Sequence, residues 1–142
     1  MSVTGFCNCR AVSVELLDGL ASETILCHCT NCRASSGSLF ATIMFKPRES
    51  VVIHGAEHVK RYADKKTDAG TTLNRNFCGT CGSPVYSFLS ETPDNLVIRA
   101  GLFEPKTLPP PCVEVFGKRM EVWERAHGDV PVVEGMPTQP AA

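Results

Sequence analysis

The sequence CHCTNCR occupies residues 27–33, and the interpretation of the whole chain depends on it. It places three thiols within six residues, directly after the short apolar run Thr24-Ile25-Leu26. Core packing gives no reason for three cysteines so close together, whereas a tight loop can direct several thiolates at one metal ion. Two further cysteine groups flank this stretch, CNC at residues 7–9 and CGTC at residues 78–81. The three groups together predict metal chemistry.

Length and charge limit the classes of function that fit this chain. Its 142 residues suit one compact domain, and 43% hydrophobic with 20% charged residues is ordinary for a soluble globular protein. A formal net charge of −1 and a pI near 6.4 argue against a nucleic-acid partner, because phosphate binding normally leaves a cluster of Lys and Arg. No apolar run approaches the roughly 18 residues of a membrane span, so we expect no membrane partner.

The cysteine count and the first residues predict the compartment. Residues 1–5 have neither the basic start nor the apolar stretch of a secretion signal. Eight cysteines without such a signal favour reduced thiols over disulfides. We therefore expect a cytoplasmic protein.

Short strand patterns dominate the chain and predict a mostly β fold with little helix. Apolar and β-branched runs cover residues 39–45, 84–89 and 96–100, and four prolines make residues 104–111 an extended connection. The last stretch has three prolines and little hydrophobic pattern. We predict a metal-binding domain over residues 1–127 and a flexible C-terminal tail over 128–142.

The distribution of thiols predicts two metal sites of unequal completeness. Zinc takes four ligands in structural sites, and three with an open position in many catalytic ones. Groups of two, three and two thiols can therefore supply one complete and one incomplete site. Spacing alone does not decide the pairing, because Cys29 and Cys32 could equally combine with the pair at 78 and 81. Buried inert cysteines, or a dithiol redox role for the 78–81 pair, are the simpler alternatives.

Several motifs, in register, resemble the glutathione-dependent formaldehyde-activating enzyme (GFA) family. They are Gly5-x-Cys7-x-Cys9, the stretch 27–33 followed by Ser36-Gly37-Ser38, and Arg75-x-Phe77-Cys78-x-x-Cys81-Gly82-Ser83, with Phe116 and Trp123 fitting the closing pattern. Their order and separations match over about residues 3–125. Cys motifs in register are far more specific than any one of them alone.

The resemblance implies a fold, a pairing and a cofactor. The fold would be a β-rich, Mss4-like fold pinned by zinc, so that residues 1–127 form a GFA-type zinc-binding domain. One zinc ion would be structural, and its ligands would be Cys7, Cys9, Cys78 and Cys81. The second zinc ion would have an open, catalytic position, and its ligands would be Cys27, Cys29 and Cys32.

The same resemblance implies a function, that of a carbon–sulfur lyase. Glutathione's thiol would occupy the open position and be held as a thiolate, which adds to formaldehyde to give S-hydroxymethylglutathione, and the reverse reaction would cleave that adduct. Glutathione and an aldehyde are thus the expected small-molecule partners. The main alternative is a non-enzymatic two-zinc module that binds a small thiol, a protein or a nucleic acid. In a further alternative His28 closes the second site and both metals are structural.

Several single residues besides the cysteines are expected to have structural or surface roles. We expect His28 to pack or hydrogen-bond near the metal, His127 to lie on the surface, and Trp123 to anchor the core. Arg75, like Arg33, is expected to be solvated. Glu114 stands two residues before Phe116, where members of the resembled family often carry a histidine.

Overall fold

The computed structural model describes residues 1–136 as two β-sheets with one short helix. The elements in chain order are β1 Val3–Phe6, β2 Ser13–Leu16, β3 Thr24–Cys27, α1 Thr30–Ser36, β4 Ala41–Pro47, β5 Val51–His54, β6 Val59–Asp64, β7 Leu73–Cys78, β8 Pro84–Leu89, β9 Asn95–Arg99 and β10 Pro111–Val115. The predicted mostly β fold is confirmed.

A seven-stranded sheet forms the frame of the molecule, in the order β10-β3-β4-β9-β8-β7-β6. Its pairs are antiparallel except for β10, which lies parallel to β3. A smaller antiparallel sheet has the order β1-β2-β5. The parallel pair is possible because a long stretch of chain separates its strands, and it brings residues 111–115 next to the cysteine stretch.

The large sheet separates two hydrophobic cores, because successive side chains of a strand point to opposite faces. On β4, Met44 packs with β2 side chains in one core, whereas Ile43 packs with cysteines 27, 29 and 32 in the other. On β9, Ile98 and Val97 divide in the same way. The first core lies between the two sheets. The second lies on the other face of the large sheet, where Val113 and Val115 of β10 pack with the thiols that β3 and α1 carry.

Two expectations about local structure were wrong. The stretch after residue 29 is a helix rather than the tight loop expected for closely spaced thiols. Trp123 was expected in the core but is 69% exposed. The helix was missed because five of its seven residues are Thr, Asn, Cys or Ser, which are weak helix formers, and only Arg33 and Ala34 favour a helix.

The C-terminal segment differs in part from the flexible tail predicted over 128–142. The backbone of Glu114 accepts a hydrogen bond from Val133 at 2.9 Å and donates one to Pro131 at 2.9 Å. Val133 also packs against the second core. Residues 131–135 are therefore held along β10, while residues 137–142 lie outside the described part, where the prediction stays a prediction.

No helix within residues 1–136 is both long enough and apolar enough to cross a membrane.

Candidate metal centres

The first candidate centre joins two turns at neighbouring strand ends. Cys7 and Cys9 follow β1, while Cys78 ends β7 and Cys81 lies in the turn that leads to β8. Their four sulphur atoms all lie within 4.8 Å of one another. Cys7 and Cys78 are buried in the first core, whereas Cys9 is exposed, so the group lies at the rim of the molecule.

The distances in this four-thiol group fit a tetrahedral metal ion. The Cys9 sulphur is 3.7 Å from that of Cys7 and 3.7 Å from that of Cys78. A disulfide would bring two sulphurs to about 2.05 Å, while zinc–sulphur bonds of about 2.3 Å place tetrahedral ligands about 3.8 Å apart. Backbone N–H groups of Val12 and Thr80 donate to the Cys7 and Cys78 sulphurs at 3.3 and 3.4 Å, which fixes the positions of both sulphurs.

The second candidate centre consists of Cys27, Cys29 and Cys32, on the opposite face of the large sheet. Cys27 is the last residue of β3, Cys29 is the N-cap of α1, and Cys32 lies in the first turn of that helix. Their sulphurs are also within 4.8 Å of one another. The Cys29 sulphur accepts the Cys32 backbone N–H at 3.3 Å, so the helix start itself orients two of the three thiols.

The two centres differ in completeness. The second has three thiols, with 4%, 6% and 7% exposure, and no fourth His, Cys, Asp or Glu atom of residues 1–136 completes the group. His28 is the nearest candidate in sequence, but neither of its ring nitrogens belongs to the group, and its Nε2 is bonded to Glu114. The donors present fit zinc at both centres, fully at the first and with one ligand missing at the second.

The second centre favours negative charge. Hydrogen bonds from the Cys27 and Cys29 thiols lower the pKa of Cys32 to about 2, and the positive charges of Arg99 and Arg75 act in the same direction. The same contacts raise the pKa of Cys27 well above its usual range. The site therefore stabilises a thiolate at Cys32 before any metal is considered.

The prediction that Arg75 is solvated was wrong, because its side chain is buried. Its Nε donates to the Asp64 carboxylate at 2.7 Å. Burial alone would lower the pKa of Arg75, but the Asp64 carboxylate and the Cys32 thiol together raise it. Asp64 is distant in sequence, so no local pattern could have revealed this pair.

A buried histidine–glutamate pair lies next to the second centre. His28 and Glu114 are both 0% exposed, and His28 Nε2 donates to Glu114 Oε1 at 2.7 Å. Burial acts to raise the pKa of Glu114, but the His127 backbone N–H at 2.6 Å and the His28 ring outweigh it and lower that pKa. His28 therefore hydrogen-bonds near the thiols, as expected. His127 was expected only on the surface, yet it also binds Glu114.

Comparison with known proteins decides the family. The model of the glutathione-dependent formaldehyde-activating enzyme family matches residues 2–119. This chain belongs to that family. The matched range contains both thiol groups, so the resemblance inferred from the cysteine motifs is confirmed.

Two curated GFA relatives are distant. One, from Halomonas elongata, is 27% identical over 95 residues, which are 66% of this chain and 60% of the relative. The other, from Colletotrichum graminicola, is 36% identical over 81 residues, which are 56% of this chain and 40% of the relative. Both are provisionally named glutathione-dependent formaldehyde-activating enzyme. The matches span about half the length of these relatives.

A solved structure shares the fold of this GFA-family chain. It is a crystal structure of a Rhodobacter sphaeroides protein, with a TM-score of 0.56 and 23% identity. The alignment covers 91% of this chain and 98% of the other. At that identity the likeness concerns the fold alone.

Proposed function

We propose that this GFA-family protein is a zinc-dependent carbon–sulfur lyase that forms or cleaves S-hydroxymethylglutathione or a related thiol adduct. The observation that carries the proposal is the inequality of the two thiol groups, four sulphurs in one and three in the other. Cys7, Cys9, Cys78 and Cys81 would hold a structural zinc ion. Cys27, Cys29 and Cys32 would hold a second ion with room for one substrate ligand.

The zinc ion at the second centre would supply the positive charge that keeps a bound thiol ionised at neutral pH, where a free thiol with a pKa near 8.5 is mostly protonated. The protein's own residues do the rest. Burial of the three cysteines keeps bulk water out, and the N-cap geometry fixes Cys29 relative to Cys32. The guanidinium groups of Arg75 and Arg99 favour an anion beside Cys32.

The proposed chemistry is an addition that balances without a redox partner. The glutathione sulphur forms a bond to the carbonyl carbon of formaldehyde, and the carbon–oxygen π bond breaks. The oxygen takes up one proton, which equals the proton that the thiol loses. The reverse reaction breaks the carbon–sulphur bond and returns both reactants, which gives the lyase class.

The test is the rate at which formaldehyde exchanges with S-hydroxymethylglutathione, measured by NMR exchange spectroscopy with the zinc-loaded protein. We expect the wild-type protein to accelerate exchange and Cys29→Ser to return it to the spontaneous rate. Serine is a favoured N-cap residue, so its hydroxyl can replace the Cys29 sulphur as acceptor of the Cys32 N–H and keep α1 intact.

The matched control is Cys112→Ser, because Cys112 is half-buried and belongs to neither thiol group. This variant should exchange at the wild-type rate. Exchange by the wild-type protein at the spontaneous rate, or full activity in Cys29→Ser, would contradict the lyase. Saturable thiol binding without acceleration would instead favour the non-enzymatic binding module.

A further inference from the structure

A cavity of about 340 Å³ lies beside the three-thiol centre, between α1 and strands β6 to β9. Its size is at the lower end of the range typical for small-molecule sites. The polar and aromatic side chains that line it include Ser35, Tyr62, Arg75, Asn76, Tyr86 and Arg99. Two cations therefore line one half-open space, so an anion that enters it meets positive charge.

The cavity is adjacent to the candidate catalytic thiols. Ser35 follows Cys32 by three residues on α1, so the two side chains share one side of the helix. Arg99 follows Val97 by two residues on β9 and shares the face of the sheet that packs on the thiols. A ligand whose sulphur reaches the three-thiol centre therefore has the mouth of this cavity next to it.

Arg99 is the cation whose charge lacks a carboxylate partner. Asp64 binds Arg75, but no carboxylate among residues 1–136 lies within 4.0 Å of the Arg99 side-chain nitrogens. Arg99 donates to Ser35 Oγ at 2.8 Å. A guanidinium has five N–H donors in a planar fork that matches a carboxylate, so Arg99 retains the capacity to bind one.

We infer that Arg99 is a specificity residue of this site, whose guanidinium binds a carboxylate of the thiol substrate inside the cavity. Tyr62 and Tyr86 form the aromatic side of the same space. The inference rests on the proposed function, because it requires a thiol at the neighbouring centre. Arg99 would be a specificity residue, and the chemistry at sulphur would remain with the three cysteines.

The experiment compares three probes by isothermal titration of the zinc-loaded protein: glutathione, glutathione diethyl ester and 2-mercaptoethanol. The diester keeps the thiol and the amine but has no free carboxylate. A charged hydrogen bond of this kind corresponds to roughly a 10- to 100-fold change in affinity. We expect the wild-type protein to bind glutathione roughly 10- to 100-fold more tightly than the diester. Arg99→Gln should lose most of this preference. Arg48→Gln, which removes an exposed cation near Pro93, should keep it.

The outcomes separate this inference from the proposed function. Equal affinity of the wild-type protein for glutathione and its diester would overturn the inference without any variant, even if Arg99→Gln failed to fold. If Arg99→Gln weakened the binding of glutathione and of its diester by the same factor, the inference would also be overturned. Arg99 would then act through the charge of the thiol centre and not through a substrate carboxylate. Failure of all three thiols to bind the wild-type protein would instead contradict the proposed function.

Discussion

At the scale of single residues, Glu114 shows how a buried charge is retained near the thiols. It is fully buried, yet it accepts hydrogen bonds from the ring of His28 and from the backbone of His127. Burying a carboxylate without such donors costs several kcal/mol. The pair thereby fixes His28, the residue between Cys27 and Cys29, and with it the direction of the cysteine stretch.

We predict that Glu114→Ala lowers the free energy of unfolding by about 3 kcal/mol, because the fully buried His28 ring loses the partner of its Nε2 and the His127 N–H loses its acceptor. Urea denaturation of the zinc-loaded protein measures this value. The matched control is Glu15→Ala, which breaks a His–Glu pair whose side chains are 55% and 28% exposed, and it should cost less than about 1 kcal/mol. Equal losses in the two variants would show that burial of the Glu114 pair has no structural weight.

Residue types alone identified the thiols but not their polar surroundings. The seven clustered cysteines stand out because their spacing has no explanation in packing. Arg75 and Glu114 could not be interpreted from sequence, because their partners lie 11 and 86 residues away and only the folded sheets bring them together. Arg99 gave no signal at all, since it ends an ordinary apolar strand.

At the scale of elements, helix α1 is held by contacts at its start rather than by its composition. The Thr30 backbone N–H donates to Asp68 Oδ2 at 2.8 Å, and Arg119 binds the same carboxylate. The Thr30 N–H and the Arg119 guanidinium lower the pKa of Asp68. This helix carries Cys32, so its anchoring bears directly on the second centre.

We predict that Asp68→Asn costs about 1 kcal/mol at neutral pH and that this cost depends on pH. Because the pKa of Asp68 is lowered in the folded protein, its ionised carboxylate stabilises the fold above the ordinary pKa of 3.8. This stabilisation is lost as the pH falls through the lower pKa of the folded state. The difference between variant and wild type should therefore stay constant from about pH 7 to about pH 5 and shrink below about pH 4. Denaturation at each pH measures it.

The control for Asp68 is Asp94→Asn, because the Asp94 side chain is 94% exposed and 3.7 Å from Arg48. This variant should lie within about 0.5 kcal/mol of wild type at every pH. If the stability difference between Asp68→Asn and wild type stayed the same below about pH 4, the charge of Asp68 would not be what holds α1.

The C-terminal segment pairs with β10 and packs on the second core. Truncation after residue 130 removes the backbone partners of Glu114 and the packing of Val133 on the second core. We expect it to lower the thermal unfolding midpoint of the zinc-loaded protein by several degrees, because one apolar side chain and a strand edge lose cover. Truncation after residue 136 keeps all of those contacts and serves as the control. Identical midpoints for the two truncations would support the fully flexible tail predicted from sequence.

Strand pattern predicted the positions of three strands of the large sheet, because alternation and turn residues are local signals. The expected strand over 84–89 coincides with β8, and those over 39–45 and 96–100 shift by one or two residues. The pairing of residues 131–135 with β10 and the parallel alignment of β10 with β3 are long-range choices, and they had no counterpart in local pattern.

At the scale of the whole molecule, the large sheet places the two thiol groups on opposite faces with separate cores. The four-thiol group ties β1 to β7 and so joins the two sheets. The three-thiol group joins the end of β3 to the start of α1, which follow each other directly in the chain. This arrangement implies that loss of one metal would damage the fold and loss of the other would damage only the site.

We predict that Cys78→Ser aggregates or loses its cooperative thermal transition, because a structural zinc ion supplies roughly 10 kcal/mol of folding free energy. Cys29→Ser should keep that transition, as it leaves the junction of the sheets intact. Differential scanning calorimetry of both variants after zinc loading tests whether the four-thiol group, and not the three-thiol group, holds the fold. An unchanged melting curve for Cys78→Ser would refute a structural role for the four-thiol group.

The proposed function requires that one centre is complete and that the other is one ligand short. Native mass spectrometry of the purified protein, recorded with and without glutathione, measures this difference. We predict two zinc ions per chain and one additional glutathione per chain at saturation, with Cys29→Ser losing the glutathione. A folded chain that carries two zinc ions and takes up no thiol, or one that carries a single ion or none, would contradict it.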